Sequence, residues 1–110
     1  MKNIYLIKTE LEGVSYYKIG ITYRTPEKRL KELQTGNAAK MMLINSYQTK
    51  FGNLFETTLH RTYISEKGLG EWFLLSDKQI EEFITTCEKL EKNLDCISQN
   101  NTYWEKKMRK

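Results

Sequence analysis

Two short runs near the start of the chain, Ile4 to Lys8 and Tyr16 to Ile21, are rich in β-branched and aromatic side chains. Such runs fit a pleated, half-buried surface, so they predict two neighbouring strands. Between them Glu10-Leu11-Glu12-Gly13 reads as a hairpin loop longer than a tight turn. Thr25-Pro26-Glu27 then carries three helix-start signals: a capping hydroxyl, a proline at the first helical position and an acid at the positive dipole end. Gly36 supplies the stop, which predicts a first helix from Pro26 to Thr35. A third strand is expected from Met41 to Lys50. Phe51-Gly52-Asn53 breaks it before a second helix that runs to about Tyr63 with Asn53 as its N-cap.

Glu71-Trp72-Phe73-Leu74-Leu75 reads as a short buried strand or extended segment. The clearest helix follows. Ser76 and Gln79 form a capping box, Leu75 and Ile80 a hydrophobic staple, and Ile80, Phe83, Ile84, Cys87 and Leu90 recur at helical spacing. From Asp95 the periodicity fails, and Ser98-Gln99-Asn100-Asn101-Thr102 reads as a polar linker into Tyr103-Trp104 and a basic end. The order of elements predicts an α+β domain over residues 1–94, its central sheet covered by helices, and a polar, basic tail over residues 95–110.

Composition narrows the function classes. A chain of 110 residues is too short for two cores, and 39% hydrophobic with 29% charged residues is the profile of a globular protein and not of disorder. No long apolar stretch or small-residue cleavage site follows Met1, so neither a membrane span nor a signal peptide is expected, and cytoplasmic residence follows. Cys87 and Cys96 lack CxxC spacing and read as ordinary thiols. The net charge of +4 matters because cations cluster at Lys28 to Lys31 and at Lys106-Lys107-Met108-Arg109-Lys110, which points to a polyanionic partner.

Asn3-Ile4-Tyr5, Tyr17-Lys18-Ile19-Gly20 and the following Pro26-Glu27-Lys28-Arg29-Leu30 resemble, in order and spacing, the GIY-YIG nuclease superfamily. More narrowly, residues 17–22, residues 29–37, Glu56 with Leu59-His60, and Gly70-Glu71-Trp72-Phe73 look like the T5orf172 or meiotically up-regulated gene 113 branch. That resemblance, over about residues 3 to 92, implies a central three-stranded antiparallel sheet flanked by helices. It also implies a metal-dependent endonuclease acting on DNA through two tyrosines, an arginine, often a histidine, and a metal-binding glutamate. Tyr5, Arg29 and Glu56 match their motif positions. The second-motif tyrosine position is Lys18 here, and Tyr17 beside it must point to the opposite sheet face, so the two do not easily share one site.

On that resemblance Glu56 would hold Mg²⁺, or Mn²⁺, with most of its waters kept, and Arg29 would grip the nonbridging phosphate oxygens. Tyr5 would activate water once neighbouring cations favour its phenolate, Lys18 would either aid Tyr5, act as base or hold phosphate, and His60 would shuttle a proton or orient substrate. Each residue also has a plainer reading. Tyr5 fits strand packing, Arg29 a solvated helix face, His60 a surface helix position, and Glu56 the capping-box partner of Asn53. Gly20 reads as a site of close approach by a helix or substrate, and Glu71-Trp72-Phe73 as packing. Two other functions stay open: a catalytically inactive nucleic-acid-binding module, and a phage-type interaction or inhibitor protein on the same fold. One active site cuts one strand per visit, so double-strand cleavage calls for a homodimer or successive nicks.

Lys28, Lys31, Trp104, Lys106, Lys107 and Arg109 are the further nucleic-acid contacts expected beside Arg29. Removing the residues after Asp95 should therefore weaken DNA binding and flatten its dependence on salt, because fewer phosphate contacts release fewer counterions. Titrations at several salt concentrations check this, and an unchanged slope would make the tail a bystander.

Overall fold

The computed structural model describes residues 1–108, with side chains described through residue 97. Its organising element is β1 (Lys2–Leu11), in which Ile4, Tyr5, Leu6 and Ile7 are all buried. Successive strand side chains point to opposite faces, so four consecutive buried residues require cover on both. β1 is accordingly the central strand of an antiparallel sheet ordered β2-β1-β3, with β2 (Val14–Thr22) and β3 (Met41–Thr49) at the edges. This is the expected three-stranded α+β architecture.

The β1–β2 connection is tighter than the composition of its loop suggests. Leu11 pairs with Val14, leaving a two-residue turn in which Glu12 and Gly13 both take positive φ, 52° and 80°. Such a turn matches the twist of the flanking strands. Between β1 and β3 the register slips at Leu6/Ile7, so Ile44 is an extra residue on β3. The bulge has a packing consequence: Leu43 faces one core while Ile44 and Tyr47 face the other, where Tyr47 stacks on Phe55 with ring centroids 5.6 Å apart.

Each sheet face has its own helical cover. On one, Ile4, Leu6, Tyr17 and Ile19 pack against Phe55 and Leu59 of α2 (Asn53–Thr62) and Phe83 and Cys87 of α4 (Phe83–Met108). On the other, Tyr5, Ile7 and Met41 pack against Leu30 and Leu33 of α1 (Pro26–Gln34) and against Trp72. Thr25 caps α1 by accepting from the Lys28 amide. Ser76 caps α3 (Asp77–Glu81) in the expected capping box.

Two local expectations are corrected, and a third is decided between its alternatives. Gly52, not Asn53, is the N-cap of α2; its φ of 62° and ψ of −132° is backbone only glycine adopts readily, and no side chain caps this end. Of the two readings offered for residues 71–75, the extended segment is the one found, meeting Tyr17 and Lys67 through isolated bridges at Phe73. The polar stretch from Ser98 is no linker in the backbone, because α4 continues to Met108: neither glycine nor proline follows Gly70, and Ser, Asn and Gln lower helix propensity only modestly. The last buried residue before it is Leu94. Among the described residues no helix is long and apolar enough to cross a membrane.

Thr49 ties β3 to α4. It is fully buried, donates to Glu91 Oε1 at 2.7 Å and accepts from the Phe51 amide, while Lys50 pairs with Asp95 at 2.6 Å. Thr49→Val keeps the shape and strands both partners, which costs about 1–3 kcal/mol. Thermal melting should fall by roughly 4–8 °C per kcal/mol in a domain this size, whereas Asn53→Ala should stay within about 0.5 kcal/mol of the parent. Equal losses would restore Asn53 as a cap.

Candidate active site

β2 is an edge strand, and the space beside it is reached from both faces of the sheet. Alternation puts Lys18 and Gly20 on the α1 side, opposite Ile7 and Tyr5 of β1. α1 brings Arg29 to that side. α2, packed on the other face through Phe55 and Leu59, carries Glu56 and His60 one turn apart. Together with Glu71 from the loop before Trp72, these side chains line one cleft of about 250 Å³, floored by the backbone of Ile19 to Ile21. Tyr5, Lys18, Arg29, Glu56 and His60 are thus brought together.

Tyr5 is fixed by what Gly20 lacks. The phenol lies across the Cα of Gly20, and a Cβ there would overlap the Tyr5 oxygen and ring. The close approach expected at this glycine is therefore made by a side chain of the protein, and the requirement is steric, since Gly20 does not use positive φ. The Tyr5 hydroxyl in turn lies against the Arg29 guanidinium, which raises the arginine pKa above its ordinary value, with Glu32 at 3.2 Å adding to the effect. Arg29 stays charged at any working pH.

Lys18 is held by a partner that sequence reasoning did not single out. Its Nζ lies 3.0 Å from Glu71 Oε2 and 5.9 Å from the centre of the Trp72 ring. That ammonium holds the Glu71 carboxyl below the usual carboxylate range, first through the hydrogen bond and then through charge. A depressed carboxylate contributes its stability above the unfolded pKa and loses it as pH falls through the folded one, here below the ordinary value of 4.5. The pair is exposed enough for that contribution to stay within about 1 kcal/mol.

His60 Nε2 sits 2.8 Å from the Ile19 carbonyl oxygen, and the ring meets Phe73 edge-on at 5.4 Å. A carbonyl only accepts, so Nε2 is the protonated nitrogen and Nδ1 is left to take or give a proton. Glu56 is half-buried, and among the described residues its carboxylate makes no hydrogen bond or ion pair. With Gly52 as N-cap it lies outside the capping-box position. The plainer reading of Glu56 is thereby removed.

Tyr17 takes no part in this cleft. It is 5% exposed in the opposite core, and its backbone exchanges hydrogen bonds with Phe73, so the strand's alternation assigns the site to Lys18. Lys28 and Lys31 are exposed on α1 and do not line the cleft. The side chains of Trp104, Lys106, Lys107 and Arg109 lie outside the described residues. Cys87 is buried, its pKa pushed up to about 12 by desolvation, and is inert. Among the described residues no three His, Cys, Asp or Glu side chains are grouped to hold a metal ion. A closed site of the zinc type, which needs three or four such ligands, is therefore absent among those residues.

The T5orf172 domain matches residues 2–94, a span that contains every side chain of the cleft. The chain belongs to the T5orf172 domain family. That membership carries a nuclease-type or nucleic-acid-related function. No curated protein and no solved structure matches the chain.

Within this T5orf172 domain, Gly20→Ala should force the Tyr5 ring out of its place. Overpacking of this kind costs about 1–3 kcal/mol, so the variant should melt several degrees lower, and the Tyr5 ring resonances should shift while those of Tyr17 hold. A parental melting temperature with unmoved Tyr5 signals would refute the steric role of Gly20.

Proposed function

We propose that this protein is a metal-dependent endonuclease of the GIY-YIG type that hydrolyses phosphodiester bonds in DNA. The observation that carries the reading is the Glu56 carboxylate, without a hydrogen-bond or ion-pair partner among the described residues, sharing one cleft with Arg29, Lys18, Tyr5 and His60. A carboxylate that lines a cleft and has no protein partner among the described residues leaves its oxygens open to a cation. Mg²⁺ or Mn²⁺ bound to Glu56 would neutralise charge on the phosphoryl oxygens and the leaving oxygen.

The remaining residues divide the other tasks. Arg29 presents its fork to the nonbridging oxygens and holds the Tyr5 hydroxyl, so the phosphate and the phenol are registered against one group. The Tyr5 oxygen, once its own proton has passed to solvent, takes the proton of the attacking water, and His60 relays a proton through Nδ1 to the leaving oxygen while its other nitrogen is held by the strand. Lys18 binds phosphate. A binding module without cleavage is the second reading, favoured by one observation: the ammonium in the second-motif tyrosine's place is paired with Glu71 instead of free beside Tyr5.

Glu56→Gln tests the proposal. It should cut nicking of supercoiled plasmid in Mg²⁺ at least about 100-fold, a loss of about 2.7 kcal/mol of transition-state stabilisation, with the melting temperature and DNA affinity nearly unchanged. Nicking at the parental rate would remove Glu56 from the chemistry. Salt-dependent DNA binding without nicking by the parent, in Mg²⁺ or Mn²⁺, would leave the binding module.

A further inference from the structure

We propose that Glu71 is an exchangeable anionic latch on Lys18: its carboxylate occupies the position of a phosphate oxygen, and a nucleic-acid phosphodiester enters the cleft by displacing it. The inference rests on the nucleic-acid reading above and adds to it how the site is held before substrate arrives. Glu71 belongs to none of the tasks assigned there.

The two partners are unequal. The Lys18 side chain is 20% exposed, carried by a strand and covered by Trp72, whereas the Glu71 side chain is 76% exposed on a turn closed by the Trp72 amide and the Leu69 carbonyl. The cation is fixed and the anion is the movable member. Its oxygen sits at 3.0 Å, a distance a phosphate oxygen would also take, and the like charges of carboxylate and phosphate set the two in competition for one ammonium. An exposed pair is worth about 0.2–1 kcal/mol, which a ligand can readily replace.

Arg29 shows the same arrangement, being paired with Glu32, which also binds Arg24. Each cation of the cleft therefore carries a carboxylate when no ligand is present. A small anion that meets Lys18 alone exchanges one ion pair for another and gains little. A phosphodiester that reaches Lys18 and Arg29 at once recovers the loss over two contacts, so the latch favours a polyanion over free phosphate. A metal-ligand role for Glu71 is disfavoured, because Glu56, His60 and Glu71 are not grouped to share an ion.

The test uses the full chain in EDTA with a fluorescent 20-mer duplex, and dimethyl phosphate followed by NMR. Glu71→Gln should bind both about two- to five-fold more tightly, and the duplex salt dependence should steepen by up to about 0.9 in log–log slope. Glu12→Gln at the hairpin tip makes the same change in net charge and should give neither effect. In a Lys18→Met background the gain from Glu71→Gln should vanish. A Glu71→Gln variant that binds no better than Glu12→Gln, or a gain that survives Lys18→Met, overturns the latch. If no form binds the duplex while Glu71→Gln still tightens dimethyl phosphate, the nucleic-acid reading falls and the latch stands; if no form binds either ligand, both fall.

Discussion

The contact of the Tyr5 ring with the bare Cα of Gly20 sets the geometry of the cleft. Tyr5 is almost wholly buried as part of the α1-side core, yet its phenol must reach the edge of the sheet where solvent and ligand are. It can do so only by crossing the neighbouring strand, and only where that strand has no side chain. The register that pairs Tyr5 with Gly20 then determines the rest: Lys18 lies two residues away on the same face, and Ile19 between them turns its side chain to the opposite core and its carbonyl to His60. Arg29 meets the phenol from α1. One missing Cβ thus aligns groups from four elements.

Electrostatics adds a second constraint. Both cations of the cleft are neutralised by exposed carboxylates, while Glu56, the half-buried carboxylate, has no partner among the described residues. An added cation at Glu56 and an added anion at Lys18 and Arg29 would each complete this arrangement, and the two charges would attract one another across the cleft. Such reciprocity supports the proposal of metal and phosphodiester binding as coupled events in place of two separate sites.

How much of this was legible in the sequence depended on the range of each signal. Pro26 and the Ser76–Gln79 capping box act over three or four residues, and the helices begin where they say, although the one from Ser76 breaks at Glu82 and resumes as α4 at Phe83. The N-terminus of α2 was misread because Asn53 has the chemistry of a cap while the neighbouring Gly52 has the backbone freedom, and the φ that decides between them is not written in either residue. The hairpin looked long because Glu12 is a poor candidate for positive φ; pairing of Leu11 with Val14 overrides that preference. At α4, loss of hydrophobic period marks the end of packing at Leu94 and not the end of the helix, because the backbone needs no buried face to continue. In the cleft, alternation alone separated Tyr17 from Lys18, while the gathering of Tyr5, Arg29, Glu56 and His60 followed from the family resemblance.

Glu71 escaped because its meaning lies entirely in a contact 53 residues away. Read locally, it is an acid ahead of a tryptophan and a phenylalanine, and packing of those two rings accounts for the segment. The turn that closes on Trp72 fixes where the loop passes, and Phe73 ties it to Tyr17 on the outer edge of β2. Once that bridge is made, its antiparallel register sets Trp72 opposite Lys18, and Glu71, next to Trp72, comes within 3.0 Å of that ammonium. The same bridge that seals the sheet edge therefore delivers the carboxylate to the ammonium, so the ion pair follows from the packing of Phe73 and needs no signal of its own at Glu71.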